Sequence, residues 1–232
     1  MDRNPTQCQQ HKIQIESGTY HYHNHSILIP DLTIRHGEVI GLKGVSGSGK
    51  STLGKILTGQ LSYAKNSLLL PTIKRKQANP VQWVGQRCEF AFNPRWTIEK
   101  SLKEAYRGKK FSDLFEQYEL ESHWQFRYPH ELSGGQLQRF NLVRALIPST
   151  EFLICDEATD QLDAVTQKII WQAIQEEVTK RSLGLLVITH QSALLNAVCD
   201  RIVTMPSPEQ SAFLSTTKHT LNAQSNFKKF WL

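Results

Sequence analysis

Long apolar runs are missing from this sequence. The longest, Leu183 to Thr189, has the length of a strand, far short of the ~18–20 residues that span a bilayer. A helical membrane anchor is therefore not expected. The opening residues, Met1-Asp2-Arg3-Asn4-Pro5-Thr6-Gln7, are polar and hold no signal-peptide core, so the chain is expected to stay in the cytosol. Cysteine is sparse. The four residues, at 8, 88, 155 and 199, form no C-x-x-C pair and no metal-ligand spacing, which makes reduced thiols the expectation. Internal repeats and long low-complexity linkers are also missing. Charge of one sign is not concentrated: 27 Lys and Arg against 21 Asp and Glu give +6. A clustered surplus suits nucleic acid or an anionic membrane. Here the only clusters are Lys74-Arg75-Lys76, Arg107 with Lys109-Lys110, and Lys228-Lys229. Scattered in this way, the surplus reads as solvated surface charge.

What is present suits a soluble globular chain. Its 232 residues, 39% hydrophobic, are enough for one large domain with room for a subdomain. Residues 11–42 read as β-rich, with Ile13 and Ile15 alternating with polar residues, then Ile27-Leu28-Ile29 and Leu32-Thr33-Ile34. Leu68-Leu69-Leu70 reads as a short strand and Val81 to Gly85 as another, with Gln86 at its end. Thr97 is expected to cap a helix reaching about Arg107. Further helices are expected over Asp113 to Leu120, 135–146, Ala164 to Arg181 and Ser192 to Val198. Phe152-Leu153-Ile154-Cys155 and Leu185 to Thr189 are continuous apolar runs, as strands buried on both faces of a parallel sheet are. A last strand runs from Arg201 to Met205. Strands alternating with helices predict an α/β fold with a largely parallel sheet.

The first chemical motif is Gly44-Val45-Ser46-Gly47-Ser48-Gly49-Lys50-Ser51, which fits G-x-x-x-x-G-K-[ST], the P-loop. A short apolar strand precedes it. Thr52-Leu53-Gly54-Lys55-Ile56-Leu57 follows as the first turns of a helix. Glycines let the backbone approach a ligand closely. Successive N–H groups and the helix N-terminus then attract an anion. In this setting Lys50 reaches the β- and γ-phosphates and the Ser51 hydroxyl ligates Mg²⁺.

The second motif is Leu132-Ser133-Gly134-Gly135-Gln136, again glycines before a helix. By composition this pentapeptide arises by chance on the order of once in several thousand chains of this length. The third is Phe152 to Cys155 followed by Asp156-Glu157. Asp156 is expected at the end of a strand beside the P-loop strand, within reach of a Mg²⁺ shell. Glu157 is placed to orient or deprotonate water. Three single residues join them: Gln86, Asp163 and His190. Gln86 and His190 fall at carboxyl ends of strands, where open α/β sheets bind ligands. The run Tyr20-His21-Tyr22-His23-Asn24-His25 stands apart. If it is extended, its three histidines share one face. They read either as an exposed polar edge or as metal ligands, although no carboxylate or Cys completes a site.

Together these motifs resemble the ATP-binding subunits of ABC transporters, over roughly residues 12 to 205. The resemblance implies an α/β P-loop NTPase fold with a mostly parallel core sheet, a small antiparallel β subdomain and an inserted helical subdomain. The core with its N-terminal β part would span 1–86 and 141–205, the helical subdomain 87–140, and a tail 206–232. It makes Gly44 to Ser51, with Thr52, the Walker A cradle for ATP. Gln86 becomes the Q-loop glutamine, Leu132 to Gln136 the signature, Asp156 the Walker B aspartate, Glu157 the catalytic glutamate and His190 the switch histidine. Ser51, Gln86 and Asp156 would hold Mg²⁺. Ser133, Gly134, Gly135, Gln136 and Asp163 join the nucleotide contacts. Tyr22, or else Tyr20, would stack on adenine.

Tyr128-Pro129-His130-Glu131 before the signature, and Ala91-Phe92-Asn93-Pro94-Arg95-Trp96-Thr97-Ile98 after Gln86, look like the peptide and nickel importer branch. The resemblance implies an ATP-hydrolysing importer subunit for a small solute: a peptide, nickel or a metal–metallophore complex. Its partners would be a second ATPase, two transmembrane permeases and an extracytoplasmic solute-binding protein, with no nucleic acid. Its place would be peripheral, on the cytoplasmic side of the cell membrane. Asp160 departs from the family, which commonly has a small hydroxyl there. That departure raises a second reading, a nucleotide-binding partner with weak hydrolysis. A third, a soluble ABC ATPase acting on nucleic acid, rests on the charge alone.

Overall fold

The computed structural model describes residues 12–22, 25–64, 67–74, 77–106 and 111–207, without the side chains of Tyr22, His25 and Ser112. At its centre lies a parallel five-stranded sheet. Its strands are β5 (Val39–Lys43), β7 (Val81–Gly85), β8 (Phe152–Asp156), β9 (Gly184–Ile188) and β10 (Arg201–Thr204), in the order β10-β5-β9-β8-β7. β8 and β9 are buried at every residue. Their alternate side chains go to opposite faces. Leu153, Cys155, Leu185 and Val187 enter one hydrophobic cluster. Phe152, Ile154, Leu186 and Ile188 enter the other. Each such aliphatic side chain fully buried contributes about 1.5–3 kcal/mol. That is why these runs carry no polar residue until the strand ends.

One difference from the sequence reading bears on the site. The strand ending in Asp156 does not lie beside the P-loop strand. β9 sits between them, pairing with β5 on one edge and β8 on the other. Strand order is set by how helices cross over the sheet, which local pattern does not encode.

The second cluster is closed by helix α1 (Lys50–Leu57) and a three-stranded antiparallel sheet, β4-β1-β6. This sheet is built from β1 (Lys12–Ile15), β4 (Leu32–Arg35) and the two-residue β6 (Leu68–Leu69). Gly54 sits inside α1 because a Cβ there would run into the ring of Trp83 on β7. The first cluster is covered by α2 (Ile98–Ala105), α3 (Ser112–Gln117), α4 (Gly134–Ala145) and α5 (Ala164–Arg181). A short α6 (Ser192–Val198) follows β9. α2 begins after Thr97, whose hydroxyl accepts from Lys100 N–H, and ends two residues earlier than expected. α3 stops at Gln117 instead of Leu120. The hydrophobic cluster runs without a break from α2 and α3 to β8 and β9, and α4 continues through residue 140.

The histidine run is not a single extended strand. β2 (Gly18–Tyr22) and β3 (His25–Ile29) form an antiparallel hairpin in which Tyr22 pairs with His25. His21 Nδ1 lies 2.8 Å from Ser26 Oγ across it. His23 lies outside the described residues. Among the described residues no three His, Cys, Asp or Glu side chains are grouped to hold a metal. No helix among them is long and apolar enough to cross a membrane.

Candidate functional site

All five core strands are parallel, so their carboxyl ends lie along one edge. From that edge emerge the 44–49 loop after β5, Gln86 after β7, Glu157 after β8 and His190 after β9. The loop is shaped by two left-handed glycines, Gly47 at φ 78° and Gly49 at φ 98°. Gly49 is the N-cap of α1 and contributes no side-chain cap. The first-turn N–H groups at Lys50, Ser51 and Thr52 thus stay open at the positive end of the helix. Val45, Ser46 and Gly47 are exposed, whereas Ser48 is buried and its hydroxyl has no partner. Gly49 is held from behind by Ile27 of β3, which would lie 2.6 Å from an added Cβ.

Lys50 is buried and folds back on the loop. Its ammonium donates to Gly44 O at 2.8 Å and Val45 O at 3.1 Å. Burial lowers its pKa, while the nearby charges of Glu157 and Asp156 push the other way. These three groups therefore share one electrostatic neighbourhood. Asp156 is only 7% exposed, and the Ser51 hydroxyl lies close enough to act on its carboxyl. Burial is the largest influence on its carboxyl and raises the pKa, and Glu157 adds to the rise. Ser51, Lys50 and Lys55 oppose it. A buried carboxylate with the exposed Ser51 hydroxyl beside it supplies the kind of oxygen donor pair a hard divalent cation takes. On this observation Mg²⁺ fits Ser51 and Asp156.

Glu157 is one of three non-glycine residues with positive φ among those described, at 51°. Such a conformation costs on the order of 1–2 kcal/mol, and strain of this kind gathers at functional sites. Its N–H is anchored on Ile188 O at 2.8 Å. Its Oε1 lies 2.6 Å from His190 Nε2. A hollow of about 410 Å³ brings His190 and Thr189 together with Gly44 and Val45. Gln86 is exposed and lines a neighbouring cleft of about 680 Å³ with Ser51 and Asp156. A larger hollow than either, about 820 Å³, lies around Thr72, Pro80 and Glu151, at the opposite ends of β7 and β8. Size alone does not find the site.

The 132–136 segment is not joined to the 44–51 loop by any hydrogen bond or ion pair among the described residues. It opens α4 as a capping box. The Ser133 hydroxyl accepts from Gln136 N–H, and the Gln136 carboxamide accepts from Ser133 N–H. Gly134 and Gly135 follow with first-turn amides that have no intrahelical acceptor. Asp163 caps α5, accepting from the N–H groups of Val165 and Thr166 at 3.0 Å and from the Thr166 hydroxyl. Thr166 and these amides hold its carboxyl below the usual range. The Tyr22 side chain lies outside the described residues. Tyr20 is half-buried against the second hydrophobic cluster.

Sequence reasoning missed Gln138. It is 2% exposed on α4. Its amide donates to Gly85 O at 3.2 Å and to Ala158 O at 2.6 Å. One side chain thus ties the helix after the 132–136 segment to the end of β7 and to the turn after Glu157. Its only signal was a polar residue amid the apolar positions of α4.

The ABC transporter family model matches residues 29–160. The nickel import system ATP-binding protein NikE of Staphylococcus aureus strain MSSA476 is 34% identical over 206 residues. That match covers 83% of this chain and 86% of the relative. NikE of strain N315 is 33% identical over the same length. Among solved structures, the dimeric MJ0796, a bacterial ABC transporter cassette, superposes with a TM-score of 0.66 at 25% identity. It covers 84% of this chain and 94% of that one. An ATP-binding subunit of an ABC transporter is similar in fold, with a TM-score of 0.70 at 19% identity, covering 83% and 85%.

Proposed function

The chain belongs to the ABC transporter ATPase family, and on that premise we propose that it hydrolyses ATP to drive solute import. The observation that carries this reading is the single edge where Lys50, Ser51, Asp156, Glu157 and His190 meet. The open amides of the 44–52 segment receive the phosphates. Lys50 exchanges its two carbonyl partners for phosphate oxygens. Ser51 and Asp156, with Gln86 across the cleft, would hold Mg²⁺, which when bound would supply positive charge against that of the phosphates. Glu157 orients the attacking water and takes its proton, and His190 fixes the Glu157 carboxylate. Tyr22 stacks on adenine.

Ser133, Gly134, Gly135, Gln136 and Asp163 serve a second ATPase, since no bond among the described residues brings the 132–136 segment to its own loop. Such a head-to-tail pair is the assembly the resemblance implies, and the dimeric cassette among the similar structures supports it. Two permeases and an extracytoplasmic binding protein complete the complex, with this chain peripheral on the cytoplasmic side. Nickel is the first cargo to test, because the curated relatives are named for nickel import. Asp160 does not favour the weak-hydrolysis reading, since its carboxylate is engaged within the chain by Thr189.

The test is Glu157→Gln in the assembled complex. Hydrolysis and uptake should fall by about 10²-fold or more, with ATP binding retained. Turnover and uptake at the wild-type rate would remove Glu157 as the base.

A further inference from the structure

We propose that Asp160 is a positioning residue for the Glu157–His190 pair, its carboxylate fastening both flanks of His190 to the turn that carries Glu157. This rests on the reading of Glu157 as the base.

The turn itself is rigid. Glu157 N–H is bonded to Ile188 O, and Asp160 N–H returns to Glu157 O at 3.3 Å. Two helices brace it: Gln138 of α4 donates to Ala158 O, and from α5 Gln167 donates to Thr159 O and Trp171 to the Thr159 hydroxyl. Among the described residues, the segment after β9 has no such bracing from a helix side chain. It is held through Asp160. The Thr189 hydroxyl lies 2.9 Å from Asp160 Oδ1 and 3.1 Å from Oδ2, and Gln191 Nε2 lies 3.4 Å from Oδ1. Thr189 Oγ1 also accepts from Gln191 N–H at 3.1 Å. His190 stands between these two residues with its side chain 50% exposed, and its Nε2 lies 2.6 Å from Glu157 Oε1.

Two links therefore join the same two segments, Glu157 to His190 and Asp160 to Thr189 with Gln191. Thr189 is 2% exposed, so in the intact chain its hydroxyl is bonded to the carboxylate and not to bulk water. A bond to a charged acceptor is among the stronger ones. Removing it frees the 189–191 segment to swing, and the imidazole leaves the 2.6 Å geometry a share of the time. Orientation of this kind acts on turnover more than on binding.

The test is a set of full-length variants assayed for ATP hydrolysis in the assembled complex: Asp160→Ala, Thr189→Val, their double, Thr189→Ser, and Glu157→Gln as control. Asp160→Ala and Thr189→Val should each lower kcat by about tenfold and leave KM for ATP within about twofold. The double variant should be no slower than either single, because both remove one link. Thr189→Ser keeps the hydroxyl and should restore wild-type kcat. Amide exchange at 189–191 should quicken in Asp160→Ala while that of α1 stays unchanged, which separates loosening of the segment from global unfolding. An inactive Glu157→Gln beside a fully active Asp160→Ala overturns the positioning role alone. Multiplicative losses in the double variant, or a Thr189→Ser as slow as Thr189→Val, overturn it as well. A fully active Glu157→Gln overturns the reading of the base and this inference with it.

Discussion

Helix α1 and helix α5 begin in opposite ways. α1 starts on a left-handed glycine without a side-chain cap, so its first-turn donors are open. α5 starts on Asp163, whose carboxylate accepts from two first-turn amides and from the Thr166 hydroxyl. α4 lies between the extremes: Ser133 and Gln136 satisfy each other, and the two glycine amides remain. A helix start attracts negative charge. α5 meets that demand with its own carboxylate. α1 has no side chain that meets it and lodges a lysine against the loop carbonyls. The difference teaches that a helix start able to take an anion is marked by what the sequence withholds from it.

The largest break in the comparison comes from the lysine. Lys50→Ala should lower ATP turnover by about 10²–10³-fold, the range for losing a preorganised electrostatic contact. Steady-state hydrolysis by the complex measures it, and a loss under tenfold would separate Lys50 from the phosphates. Next comes the glycine that opens α1. Gly49→Ala would force an alanine to φ 98° and set its Cβ 2.6 Å from Ile27 Cδ1. The left-handed conformation and the overpacking together should cost about 2 kcal/mol or more. Thermal unfolding should show a fall of about 4–8 °C, and the stabilisation by added ATP should vanish. Gly134→Ala is the control, since a Cβ there meets nothing within 4 Å. If both variants unfold alike, the two helix starts do not differ as described.

Much of this was legible in the sequence, and the particular residues say why. Ala164 to Arg181 is a helix at the limits its pattern and caps imply. Phe152 to Cys155 is a strand buried on both faces because continuous apolar character leaves no solvent side. Lys50, Asp156 and Glu157 come together because each is fixed to a strand end or the helix start after one. What was not legible depends on distant partners. The place of β9 between β5 and β8 comes from crossovers, so the strand of Asp156 was set one position too close. The hairpin at Tyr22 and His25 breaks a run that alternation alone reads as straight. Gln138 looks like a surface polar residue, and Asp160 stands out only as a departure from the family's small hydroxyl. Their roles appear only once Gly85, Ala158 and Thr189 have been brought within 3.2 Å.

The smallest effect, and the one that sharpens the comparison most, concerns the cap of α5. Asp163 has its pKa lowered, first by the Thr166 hydroxyl and then by the Thr166 amide. A carboxyl whose native value lies below its unfolded value favours the fold only when ionised. Its contribution is complete above the unfolded value of about 3.9 and is lost as pH falls through the lower native one. Asp163→Ala should therefore unfold at a lower temperature than wild type at neutral pH. That gap should stay level down to about pH 5 and narrow below about pH 4. A gap of constant width across this range would mean that the side chain caps without its charge. The same variant separates the two helix starts in a second way. Stabilisation of the isolated chain by ATP grows with ligand concentration over Kd. It should survive Asp163→Ala and disappear with Gly49→Ala, because α5 has already filled its own N-terminus and α1 has not.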